Sequence, residues 1–226
     1  NTLRTFTGSD ESVNLNEAKM ILTIKLQIYQ GDIEQVEKLV NSVTFKKYQS
    51  KATQRLKADI VNYAIISAKK VDHIAEVNKP LDKISARALS PSSSCISSLQ
   101  LFATNIEHLK HLDKIIEAFR SQQPLAHYIC LPKPKYISAQ SIDCSSDPLQ
   151  AITCDESRWS TSIENINTRH VGLMLAKGGA NVHHGILYFD VEDNANVFSH
   201  EVSHLLGFVD EYPLVRTHNK CQRVQE

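Results

Sequence analysis

The spacing of apolar residues changes near residue 124, and that change limits the folds open to this chain. Before it, apolar side chains recur every three to four residues, the period of a helix with one buried face. In "GDIEQVEKLVNSV" Asp32 is a predicted N-cap with Gln35 three residues on, and Ile33, Val36, Val40 and Val43 share one face. Leu56, Ile60, Tyr63, Val71 and Ile74 predict a further helix that stops before Pro80, since proline disfavours helix in the residue preceding it. After the break at "SPSSSC", the series Leu99, Phe102, Ile106, Leu109, Ile116 and Phe119 gives the strongest helical period of this half. Residues 1–122 therefore read as a helical domain, a bundle or hairpin array with no fixed repeat length.

Past that point the pattern is of short apolar runs punctuated by proline and glycine. "AHYICLPKPKYI" predicts a strand with an edge or turn at Pro132 and Pro134, because proline cannot donate to a sheet ladder. "HVGLMLAKGG" and "VHHGILYFDV" are apolar runs separated by Gly178 and Gly179, which predicts a hairpin or a sharply bent strand pair. The expected fold class is α+β, with the helical domain at 1–122 followed by a mixed-sheet domain at 123–226.

Composition narrows the partners. The 226 residues are 42% apolar, and 25 basic residues balance 25 acidic ones without a Lys/Arg-rich run, so nucleic acid is not expected. The most apolar stretch, "AKMILTIKLQIY", is interrupted by Lys25 and Gln27, and membrane insertion is not expected either. Asn1 at the start implies that a signal peptide, pro-segment or other piece has been removed upstream. The cysteines, Cys95, Cys130, Cys144, Cys154 and Cys221, form no C-x-x-C pair. Cys144 and Cys154 bracket a short loop with Pro148 at its turn, which predicts a disulfide and a secreted or periplasmic protein, against the alternative of buried free thiols in the cytosol. The odd cysteine has no assigned partner.

The chemistry is concentrated in "VEDNANVFSHEVSHLLGFVDEYP". Asp193 or Asn194 can cap a helix there and Gly207 can end it. His200 and His204 then lie one turn apart on one face, where two imidazoles can reach a single Zn²⁺, while Glu201 flanks the position of a bound water. Zinc lowers the pKa of such a water toward neutrality, and Glu201 is the candidate general base. Val202, Leu205 and Leu206 would anchor the helix in a core. Gly207 allows a left-handed exit that can return Asp210 as a third metal ligand; Glu211, His218 and Glu226 are the rivals, with Glu211 the strongest of them.

The segment "HEVSHLLGFVD" resembles H-E-x-x-H-x-x-G-x-x-D, the aspartate form of the metzincin zinc metallopeptidase signature within the zincins. The trailing "DEY" is also similar to bacterial metallopeptidases related to immunoglobulin A peptidases, in which the spacing to the acidic residue is one longer. The resemblance implies zinc held by His200, His204 and Asp210, Glu201 as general base, and a zincin-like mixed sheet carrying an active-site helix. It further implies that a strand within residues 171–190 lines the cleft and pairs with an extended protein or peptide substrate. It covers about a fifth of the chain and does not touch the helical half, which is a candidate surface for a partner protein. One departure stands out: metzincins place a methionine turn downstream of the third ligand, and here Met20 and Met174 both lie upstream. Only sixteen residues follow Asp210, so a fragment, a processed form or a compact variant is expected.

Other groups receive plainer readings. His73, His108 and His111 lie on predicted helices, and His108 and His111, three apart, are expected on a solvated face. Alternation along a strand would send His183 and His184 to opposite faces, one packed and one exposed. "DVEDN" lacks the glycine and closing glutamate of a calcium loop, and Tyr212 reads as a packed turn residue. The competing function is a binding or scaffold protein whose histidine motif is structural or degenerate.

Overall fold

The computed structural model describes residues 14–67, 95–145, 147, 150–163 and 166–209. Among these residues four helices come first: α1 (Leu15–Gln30), α2 (Ile33–Asn41), α3 (Val43–Lys47) and α4 (Lys51–Asn62). Each starts where a short polar side chain takes an otherwise unpaired backbone N–H. Asn14, Asp32, Ser42 and Ser50 accept from Asn16, Gln35, Phe45 and Thr53 respectively. The expected cap at Asp32 is thus present. Glu17 is buried among these helices, where its carboxylate accepts from the Thr53 hydroxyl at 2.6 Å and from the Ser50 N–H, tying α1 to the start of α4. The expected continuation of the last helix through Val71 and Ile74 lies outside the described residues; α4 ends at Asn62.

The chain then builds a sheet of six strands. These are β1 (Ser97–Ala103), β2 (Ile129–Cys130), β3 (Lys135–Tyr136), β4 (His170–Leu175), β5 (Asn181–His183) and β6 (Ile186–Asp190). Two longer helices accompany it, α5 (Ile106–Gln122) and α6 (Ala195–Leu205), besides a single helical turn at Ser160–Ile163. The order is β2-β1-β4-β6-β5, with β3 joining β1 alongside β2. β1, β4 and β6 are mutually parallel, β2 and β3 are parallel to β1, and only β5 runs antiparallel, on the far edge. The two short strands β2 and β3 flank Pro132 and Pro134, so the prolines fall where no ladder bond is needed.

Two sequence expectations change here. Leu99 and Phe102 belong to a strand, and the helix starts only at Ile106, capped by Asn105. β1 is buried along nearly its whole length on both faces, so Leu99, Leu101 and Phe102 show no clean alternation and their spacing runs on into that of α5 without a visible break. β1 is hydrogen-bonded in the middle of the sheet, and α1, α2, α4, α5 and one sheet face share one apolar cluster that includes Ile24, Val36, Leu56, Leu109 and Leu187. The second expectation is a hairpin or a sharply bent strand pair across Gly178 and Gly179. Instead β4 and β6 are parallel neighbours, and the hairpin lies further on, between β5 and β6.

The sheet is covered on both sides. Leu99, Leu101, Met174, Leu187 and Phe189 face the helices, whereas Phe102, Leu173, Ile186 and Tyr188 face the irregular segment that carries Ile137, Ile152 and the fully buried Trp159. That segment is stapled by Cys144–Cys154, the disulfide expected from the loop length. A second disulfide, Cys95–Cys130, joins the approach to β1 to the end of β2. Cys221 is outside the described residues. No helix among the described residues is long and apolar enough to cross a membrane.

α6 is held by Phe198, whose ring meets Phe119 of α5 edge-on at 5.2 Å and Phe189 of β6 at 5.7 Å. Phe198→Ala removes a fully buried aromatic ring and is expected to cost about 3–5 kcal/mol of stability. Urea denaturation of parent and variant measures the difference.

Candidate metal centre

α6 begins where Asn194 caps it, its side chain accepting from the N–H groups of Asn196 and Val197. Asp193, the other candidate cap, instead accepts from the Asp190 N–H at 2.8 Å, and burial pushes its carboxyl above the usual range. Asp190 in turn accepts from Gly178 and Glu192, so the carboxylates of "DVEDN" bind backbone and shape the turn between β6 and α6. Ala195, Phe198 and Val202 form the buried stripe of the helix. The remaining face carries His200 and His204.

The two imidazoles converge. Their Nε2 atoms are 3.1 Å apart, and the ring planes are nearly perpendicular. Two nitrogens bound to one tetrahedral zinc at ordinary bond lengths stand about 3.3 Å apart, so the pair fits a single ion. A ligand atom of Glu201 joins them, all three groups lying within 4.8 Å of one another. Glu201 is buried at 6% exposure, whereas His200 is exposed and His204 half-buried. A carboxylate held away from bulk water beside two imidazoles is suited to proton transfer.

The end of the helix orients His204. Gly207 adopts φ +92°, and its N–H donates to the His204 carbonyl while the Phe208 N–H donates to Ser203, the paired bonds of a Schellman stop. The expected left-handed exit at Gly207 is therefore present. This turn also swings the Phe208 carbonyl under the second histidine, where His204 Nδ1–H donates to it at 2.8 Å. Because a neutral imidazole carries one N–H, that bond leaves Nε2 as the lone-pair nitrogen facing His200. Sequence reasoning placed Gly207 for its freedom and missed the carbonyl it delivers.

Of the proposed ligands, His200 and His204 are brought together with Glu201; Asp210, Glu211, His218 and Glu226 lie outside the described residues, as do His73 and Tyr212. His108 and His111 are not a solvated pair. Burial, and then the proximity of His111, lowers the pKa of the half-buried His108, while His111 Nε2 contacts the Asp193 carbonyl at 3.4 Å. Met174 is buried in the core, and the half-buried Met20 packs against it.

His183 and His184 depart furthest from expectation. They occupy the end of β5 and the turn into β6, where His184 and Gly185 both have positive φ, +49° and +80°. Such a two-residue turn breaks strand alternation, so both rings emerge on the same side and stack at 3.7 Å between centroids. Both are exposed, and both approach Glu156.

No known protein family, curated protein or solved structure matches this chain.

Gly207→Ala forces a side chain into the left-handed region at a cost of about 1 kcal/mol, and displaces the carbonyl that orients His204. If the cluster holds a metal ion, its affinity is expected to fall by about 10- to 100-fold with the fold retained, as loss of an orienting partner does. Competition with a chromophoric chelator, alongside circular dichroism, checks both.

Proposed function

We propose that this chain is a zinc metallopeptidase of zincin type, cutting peptide bonds in a protein or extended peptide. The observation that carries the reading is the convergence of His200 and His204 Nε2 at 3.1 Å, with the buried Glu201 carboxylate in the same cluster. Bound there, zinc supplies the Lewis acidity that makes water a nucleophile near neutral pH. His204 presents its Nε2 lone pair because its Nδ1 proton is held by the Phe208 carbonyl. Glu201 takes a proton from the attacking water on a carboxylate oxygen and returns it to the departing amine.

The arrangement of the sheet supports the same reading. α6 lies against β6 and the antiparallel edge strand β5, which has β6 as its only partner among the described residues. An extended peptide can add to such an edge through main-chain hydrogen bonds. Asp210 completes the metal-binding set in this proposal, as its place three residues after Gly207 implies. The two disulfides favour an oxidising compartment, secreted or periplasmic.

Glu201→Gln is expected to keep zinc and lose about 10²- to 10⁴-fold in kcat on an unfolded protein substrate, since it removes the base and no metal ligand. Metal analysis with a peptidase assay measures both; parental turnover by the variant would overturn the mechanism. Asp210→Ala should weaken zinc binding far more than Glu211→Ala, and chelator competition on the two variants ranks them. The opposite ranking would move the third ligand to Glu211.

A further inference from the structure

The β5–β6 turn carries two histidines that meet Glu156 in a second cluster of candidate ligands. Leu187 and Phe189 of β6 pack on the side of α6, whereas Ile186 and Tyr188 face the Trp159 layer. Val182 packs with the first set, so its neighbour His183 points the other way, toward Glu156. The hairpin thus separates this group from His200 and His204 by the thickness of the sheet.

Its geometry is specific. His183 Nδ1 is 3.4 Å from Glu156 Oε1, and His184 Nδ1 is 3.5 Å from Oε2 of the same carboxylate. One ligand atom from each residue lies within 4.8 Å of the other two. These separations are long for charge-assisted hydrogen bonds, which close to about 2.7–2.9 Å. They match the roughly 3.3 Å between neighbouring ligand atoms of one tetrahedral ion.

Each ligand is also held in place from behind. Glu156 opens a 3-10 turn, Glu156–Arg158, that Asp155 caps through the Ser157 N–H. It lies two residues beyond the Cys144–Cys154 disulfide, and Arg158 bonds back to Asp143 at 3.1 Å. The Tyr188 hydroxyl donates to Glu156 Oε1 at 3.3 Å. On the other side, His170 Nδ1–H donates to the Gly185 carbonyl and pins the turn that bears the two histidines. Both histidine rings are exposed, so a solvent molecule has access to the remaining position of a four-ligand shell.

We propose that Glu156, His183 and His184 form a second site for a divalent transition-metal ion of the zinc type, bound through both Nδ1 atoms and the glutamate carboxylate. Two nitrogens and one oxygen suit zinc and its neighbours in the first transition row rather than calcium or magnesium, which take all-oxygen shells. The ion clamps the β5–β6 hairpin to the disulfide-stapled loop. Its role is structural and is independent of chemistry at Glu201.

The test is a titration with Zn²⁺ alone of the parent, of His200→Ala/His204→Ala and of His183→Ala/His184→Ala, followed by competition with a chromophoric chelator. His200→Ala/His204→Ala is expected to retain one zinc that raises its Tm, and adding Glu156→Gln should weaken that zinc at least tenfold. His183→Ala/His184→Ala should bind one equivalent fewer than the parent, a comparison that holds even if the other double variant does not fold. Equal stoichiometry in the parent and His183→Ala/His184→Ala would overturn the site. So would a folded His200→Ala/His204→Ala protein that takes up no zinc. Failure of the first site alone would instead leave the parent with one zinc, lost on changing His183 and His184.

Discussion

The contact of Phe198 with Phe119 and Phe189 fixes α6 against both the sheet and α5, and the candidate centre depends on it. A helix of eleven residues is too short to be stable from local hydrogen bonds, so its position comes from the apolar stripe it buries. Ala195, Phe198 and Val202 form that stripe, and the turn of 100° per residue then determines what the opposite face presents. His200 and His204 are outward because Phe198 is inward. Glu201, between the two faces, is buried at the margin of the core while remaining within reach of the imidazoles.

Much of this is legible in the amino-acid sequence, and the features that are not share a physical cause. Caps are readable at Asp32 and, to within the choice of Asp193 or Asn194, at the start of α6, and the stop at Gly207, because each depends on one side chain or one backbone conformation acting on nearby backbone. The Cys144–Cys154 pairing is readable for the same reason: the two residues are close along the chain. The strand at Ser97–Ala103 is not. Parallel strands covered on both faces lose the alternation that betrays an edge or half-exposed strand, and Leu99 and Phe102 happen to continue the spacing of α5. Which strands become neighbours is equally non-local. Gly178 and Gly179 mark a break in the chain, but whether a break is a hairpin or the start of a crossover depends on pairing with distant strands.

The histidines divide along the same line. His200 and His204 are legible because an i, i+4 pair on a helix is a local geometry. His183 and His184 defeat strand alternation, which carries one residue too far, into a turn where His184 has left the strand. Their partner Glu156 lies 27 residues before His183, and no spacing rule links them. The Gly185 after His184 is the available signal, since a residue–glycine pair ahead of an apolar run marks a two-residue turn.

One hairpin therefore positions both candidate metal-binding groups. In β6 the odd-numbered Leu187 and Phe189 meet the helix layer and the even-numbered Ile186 and Tyr188 meet the Trp159 layer. A slip of one residue in its pairing with β4 would exchange the faces, turning Tyr188 away from Glu156 and withdrawing Phe189 from Phe198. The slip is opposed because each face fills a different apolar cluster, so both would be disrupted at once. The register that buries the core is thus the same one that seats the helix of His200 and His204 on one side of the sheet and brings His183 to Glu156 on the other.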